Sequence, residues 1–216
     1  MAFTANDYIT DAAALYGDTD YVRVTETTWI KFLNASIRAL VLVRPDAGAQ
    51  TANVQLVAGV LQALPSTALR MLDITRNMGT DGLTAGKIIT PVDRKHLDYS
   101  NLLWPAASGD TEIDNFAYDK ENPRIFYVTP PVSSDTNVYV ELQVSQLPTA
   151  VADTDDDPGI NDVFFEPIVQ YMLYKAFVTD DEGVEFQKAT MYMQNFFNLL
   201  QVEMAVSTAA GPEPRE

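Results

Sequence analysis

Asp153, Asp155 and Asp157 alternate in the run VADTDDDPGIND, the spacing at which a calcium loop presents its first, third and fifth ligands. Such a loop also needs glycine at its sixth position, to turn, and a bidentate glutamate at its twelfth. Pro158 and Phe164 stand there instead, so the run reads as a solvated acidic link. Asp180-Asp181-Glu182 falls between two helical segments and reads the same way. A second charged run, Asp119, Lys120, Glu121 and Arg124, lies inside NFAYDKENPRIFYVTPPV. It invites an acid–base role, but Asn122-Pro123 is a turn dipeptide between two strand-like segments, so its charges read as the tip of a hairpin.

The other routes to chemistry close quickly. The chain has no cysteine and one histidine, which removes disulfides, thiolate metal sites and thiol nucleophiles and leaves little for a multi-histidine centre. His96 has no nucleophile-elbow pattern to serve and reads as a structural or surface residue. NMGTDGLTAGK ends in Gly-Lys without the spacing or the hydroxyl residue of a phosphate loop. No catalytic, cofactor-binding or metal-ligating residue is assigned. The net charge is −16, and it is uneven: residues 1–108 hold 9 basic and 10 acidic groups, residues 109–216 hold 5 and 20. With Arg94-Lys95 as the largest basic cluster, the chain is not built to grip duplex DNA. No apolar run approaches the ~18 residues of a membrane span, and MAFTANDYIT lacks the basic and apolar regions of a signal peptide. A soluble, non-exported, membrane-free protein is expected.

The elements that must position these residues follow from periodicity. Thr4 and Asp7 resemble a capping box, and Tyr8, Ala12 and Leu15 follow at helical spacing until Gly17. A second helix capped by Thr25 presents Trp29, Phe32, Leu33, Ser36, Ile37, Leu40 and Val41 on one face and ends before Pro45. From Asn53 to Pro148 the period drops to two, punctuated by glycine and proline, which predicts a sheet. Val138, Val140, Leu142 and Val144 form its core face, and Pro130-Pro131 should end the strand before them. Helix resumes at Pro167, after a separate turn at Phe164–Glu166, and a last helix spans about Val184–Met204. The fold class is α+β: a bundle of N- and C-terminal helices with an inserted antiparallel β-rich region. The divisions are 1–52 and 151–206 for the bundle, 53–150 for the insertion and 207–216 for a flexible tail.

The blocks WIKFLNASIRALVLVRPDA, LVAGVLQALP, ITPVDRKHLDYSNLLWP, FAYDKENPRIFYVTPPV and YMLYKAFVTDDEGVEFQKATMYMQNFFNLL, in that order over about residues 20–200, resemble the head-to-tail adaptor family of short-tailed bacteriophages. That resemblance implies a virion protein in the tail, assembled in the host cytoplasm. It implies a ring of twelve copies beneath the portal protein, joined to a downstream tail or nozzle protein, with the genome passing through and no cofactor or enzymatic step. On it, Trp104, Tyr118, Tyr127, Tyr192, Phe196 and Met204 are candidate subunit or portal contacts. Asp153, Asp155, Asp157 and Asp162 are candidate channel-facing acids, since an acidic wall lets DNA slide without sticking. The competing expectation is a calcium-dependent carbohydrate-binding or tail-associated hydrolytic module, with Trp104 or Tyr118 as sugar platforms. The helical ends argue against it.

Overall fold

A computed structural model describes residues 3–118, 121–179 and 185–210, with backbone alone for 203–210. The protein is α+β and divides into two compact units, one of residues 1–47 with 148–216 and one of residues 48–147.

The first unit is helical. Helix α1 (Ala5–Tyr16) starts where the Thr4 amide donates to Asp7 Oδ2 at 2.8 Å and stops at Gly17, whose φ of +82° only glycine adopts freely. Helix α2 (Glu26–Val43) buries all seven positions of the predicted face, Trp29 to Val41. Full burial of a large apolar side chain contributes about 1.5–3 kcal/mol, so this face alone accounts for much of the helix's stability. Helix α4 (Phe165–Thr179) begins two residues before Pro167, which therefore lies inside the first turn. Proline is tolerated there because first-turn amides have no intrahelical acceptor. Of the expected separate turn, only Phe164 stays outside, in a 3-10 turn spanning Asp162–Phe164. Helix α5 (Phe186–Ala210) continues past Met204 through residues 207–210, so that part of the expected flexible tail is helical; residues 211–216 and Val184 lie outside the described residues. Tyr8, Trp29, Leu33, Leu40, Ile168, Met172 and Phe196 meet in one core.

The second unit holds two sheets where the sequence suggested one. In the first, β1 (Ala49–Gln55), β7 (Tyr139–Gln146) and β3 (Ala68–Asn77) run in the order β1-β7-β3. In the second, β2 (Gly59–Ala63), β6 (Ile125–Val132), β5 (Asn115–Tyr118) and β4 (Thr90–Pro91) run in the order β2-β6-β5-β4, with β4 parallel to β5. Val138, Val140, Leu142 and Val144 are all buried, as their alternation requires. Strand β6 does not end at the double proline. The register against β2 jumps from Tyr127 to Val132, so Pro130 and Pro131 occupy the bulge where no ladder amide is needed. The Pro131 carbonyl still accepts from the Asp110 amide at 2.8 Å. Between β4 and β5 lies an unforeseen short helix, α3 (Arg94–Ser100), followed by a 3-10 turn at Trp104–Ala106.

Three side-chain amides act as clips in this architecture. Asn34 in α2 donates to the Val151 carbonyl and accepts from the Val151 amide (2.8 and 2.9 Å). Asn77 does the same with Ile113 (2.8 and 2.9 Å), and Gln62 with Val57 (2.8 Å both ways). Each satisfies both backbone polar groups of a residue that belongs to no strand ladder, as irregular backbone within a packed unit requires.

Candidate contact surfaces

The acidic link is folded onto the start of α1. The amides of Ala5 and Asn6, left without intrahelical partners, donate to the carbonyls of Asp156 and Thr154 at 2.9 and 2.8 Å. Asp156 holds this shape, accepting from the amides of Ala152 and Asp153 at 2.7 and 2.9 Å, and these bonds lower its carboxyl below the ordinary value. Asp153, Asp155, Asp157 and Asp162 are exposed around it. Three of them orient locally: Asp153 Oδ1 accepts from the Thr154 amide at 2.7 Å, Asp157 Oδ1 from Gly159 at 2.8 Å, and Asp162 Oδ1 from Phe3 at 3.4 Å. The link is therefore an ordered cap for a helix N-terminus, whose partial positive charge suits an acidic neighbour, and not merely a solvated connection. The effect reaches Tyr8, whose hydroxyl is pushed up to about 12 by burial first and then by Asp162, Asp157 and Asp7. Among the described residues, no three histidine, cysteine or acidic side chains are arranged to hold a metal ion.

Trp104, Tyr118 and Tyr127 are brought together in the β unit. Trp104 is 6% exposed and meets the Tyr127 ring edge-on at 6.3 Å, while its Nε1 donates to Asp98 at 2.9 Å. Arg94 lies over the same Tyr127 ring at 5.4 Å. Tyr127 thus ties down both ends of the segment containing α3, and with Tyr118 it lines a shallow cleft beside Asp93, Arg94, Lys95 and Glu121. Trp104 is an anchor in this chain, not an exposed platform. The surface it leaves outward is α3, which buries no residue, and the turn after it, with Tyr99 89% and Leu102 86% exposed. His96 is exposed on that helix.

In the helical unit, Tyr192 is half-buried and stacks on Phe177 at 5.4 Å. Phe196 is fully buried and packs against Tyr171 and Phe197, so in this chain it is core. Met204 lies in α5 beyond the described side chains. The hairpin run also has a structural use: the Arg124 guanidinium donates to the carbonyls of Pro65, Ser66 and Ala68, cupping the turn between β2 and β3. Asp119 and Lys120 lie outside the described residues.

Among the described residues, no helix is long and apolar enough to cross a membrane. What the two units offer is ordered contact surface: an acidic rim, an exposed short helix and sheet edges. No curated protein matches the chain. The profile of the SU10 adaptor protein family matches residues 3–214. With that match running from α1 through the end of α5, the chain belongs to the SU10 adaptor protein family and is a structural component of a phage virion.

Proposed function

We propose that the protein is the subunit of a head-to-tail adaptor ring in a short-tailed phage. Twelve copies sit beneath the portal, join it to the next tail or nozzle protein and leave a lumen through which the genome passes. The family match over residues 3–214 carries this reading. The charge supports it: at −16 per chain, a ring develops a strong repulsive field for duplex DNA, which favours passage without adhesion. Asp153, Asp155, Asp157 and Asp162, exposed on an ordered link, are the residues proposed to face the lumen. Tyr127, Tyr192 and the surface beside Trp104 are proposed to take part in subunit or portal contacts. Incubating purified protein with purified portal and imaging the product by electron microscopy tests the reading. A ring stacked on one face of the portal is expected; failure of the two proteins to associate under any ionic strength at which particles are stable would overturn it.

A further inference from the structure

Each sheet of the β unit has two edges, and they are treated differently. In the β1-β7-β3 sheet, β3 is irregular, with three register shifts against β7, and carries Arg70, Asp73 and Arg76. Its outer side is partly covered, since Asn77 donates to Lys87, Gly86 to Asn77 and Ile89 to Thr75. In the other sheet, the β4 edge is two residues long and ends in Pro91. These are the usual protections against pairing with another chain. Strand β1 has none of them. It pairs with β7 through seven consecutive residues without a shift, is exposed along nearly its whole length and contains neither charge nor proline. Strand β2 is the other open edge.

Both open edges fall in one stretch, Ala47 to Leu69, that contains no Asp, Glu, Lys, Arg or His. With 20% of the chain charged, about five charged residues would be expected among these twenty-three. Val57 and Leu61 are exposed within it.

The direction of the free amides follows from the ladders. Leu56 donates to Val138 at 2.8 Å, so alternation turns the N–H and C=O of Gln50, Ala52 and Val54 toward β7 and those of Ala49, Thr51, Asn53 and Gln55 outward. Likewise Leu64 donates to Arg124 at 2.9 Å, which turns Gln62 toward β6 and Leu61 and Ala63 outward.

We propose that β1 of one copy adds as a strand to β2 of the next. The occupant is a second copy because chains of net charge −16 repel one another least where both surfaces are neutral, and this stretch supplies a neutral edge on each side of the contact. Pairing β1 with β2 is heterologous, so it propagates from copy to copy and builds a ring when the rotation per step closes, whereas β1 with β1 would stop at a dimer. The proposal rests on the ring reading and names the contact that would build it.

The absence of native cysteine makes the test direct. Ala49→Cys and Thr51→Cys are each combined with Leu61→Cys and Ala63→Cys, and the four double variants are supplied to phage lacking the wild-type protein. Particles are oxidised and run without reductant. At least one double variant is expected to give a ladder of covalent multimers that collapses on reduction, while each single variant stays monomeric. Thr51→Pro, which removes an outward amide and leaves the bonds to β7 in place, is expected to abolish assembly, and Thr51→Val to preserve it. Dimers from Thr51→Cys alone, or cross-links to a different virion protein in place of a ladder, would overturn the proposal. So would rings seen by electron microscopy that show no ladder in any double variant and still form with Thr51→Pro; that result leaves the ring reading standing. Wild-type particles with no ring at all would remove both.

Discussion

Asn34 and Val151, 117 positions apart, hold each other by two hydrogen bonds in which one side-chain amide satisfies both backbone polar groups of one residue. The bond pair fastens α2 to the start of the acidic link, and the link in turn caps α1. Three separate parts of the chain therefore depend on one asparagine.

Replacing Asn34 by alanine leaves the Val151 N–H and C=O without these partners. A cost of about 2–3 kcal/mol is expected, since each buried group left unpaired costs about 1–3 kcal/mol and water recovers part of it. Asn34→Asp keeps the acceptor and loses the donor, so it should fall between wild type and Asn34→Ala. Urea denaturation of the three proteins checks the order; equal midpoints would show that the clip contributes nothing.

Asp18 is buried and accepts from the amides of Val22, Arg23 and Val24 at 2.9, 2.9 and 2.8 Å. Burial alone would raise its carboxyl, but these three amides outweigh it and hold the group below its ordinary 3.8. A carboxylate depressed on folding stabilises the protein above its unfolded value, and that stabilisation is lost as pH falls through the folded value. Asp18→Ala should therefore lower stability by about 2 kcal/mol at neutral pH, with the gap to wild type closing below about pH 4. Thermal melts from pH 3 to 7 measure this. A gap that widens toward acid would contradict the assignment.

Within the acidic link, Asp156 should behave unlike its neighbours. The triple change of Asp153, Asp155 and Asp157 to asparagine keeps every side-chain oxygen that accepts a backbone proton, and stability should shift by under ~0.5 kcal/mol, as at exposed sites generally. Asp156→Ala removes the acceptor for Ala152 and Asp153 and should loosen the link. Hydrogen exchange is the readout: protection of the Ala5 and Asn6 amides should drop in Asp156→Ala and persist in the triple variant.

Reversing Asp153, Asp155, Asp157 and Asp162 to lysine changes the charge by eight per chain. If these residues line the DNA passage, assembled rings of the variant should bind duplex DNA with an affinity that falls steeply with salt, because each contacted phosphate releases counterions. Wild-type rings should not bind at the same salt. Filter binding across a salt series decides it, and a lysine variant with no gain in affinity would place these residues away from the passage.

The α+β class was legible because burial imposes a period. The α2 face and the inward positions of β7 follow directly from spacing, and both are buried as read. What depended on partners was not legible. Two sheets replace one because β1 and β3 both choose β7, a strand about 70–90 positions away, and nothing local records that choice. The double proline misled because its meaning depends on whether the ladder needs an amide there, and the bulge removes the need. At the surfaces, the exposed acids could be identified by composition, but the cap they surround could not. Asn34, Asn77 and Gln62 look in sequence like any polar residue; only the peptides they face give them a role. Trp104 and Phe196 carried the composition of contact residues and turned out to be buried within their own units.

The helical unit is assembled from two separated pieces, residues 1–47 and 148–216, with the β unit between them. On the ribosome, this order matters. Helices α1 and α2 emerge first, yet the core that covers Trp29 and Leu33 includes Ile168 and Met172, and the carbonyls that cap α1 come from residues 154 and 156. Synthesis at ~5–20 residues per second leaves those apolar faces uncovered for roughly 5–20 s while the intervening segment is made. The β unit, contiguous in the chain, completes its pairing only at the end of that interval, because β7, which joins β1 to β3, is its last strand and still precedes α4. The nascent protein therefore passes through a stage with a finished β unit and an open pair of helices, when it is most exposed to chaperones and to premature encounters between copies on the same polysome.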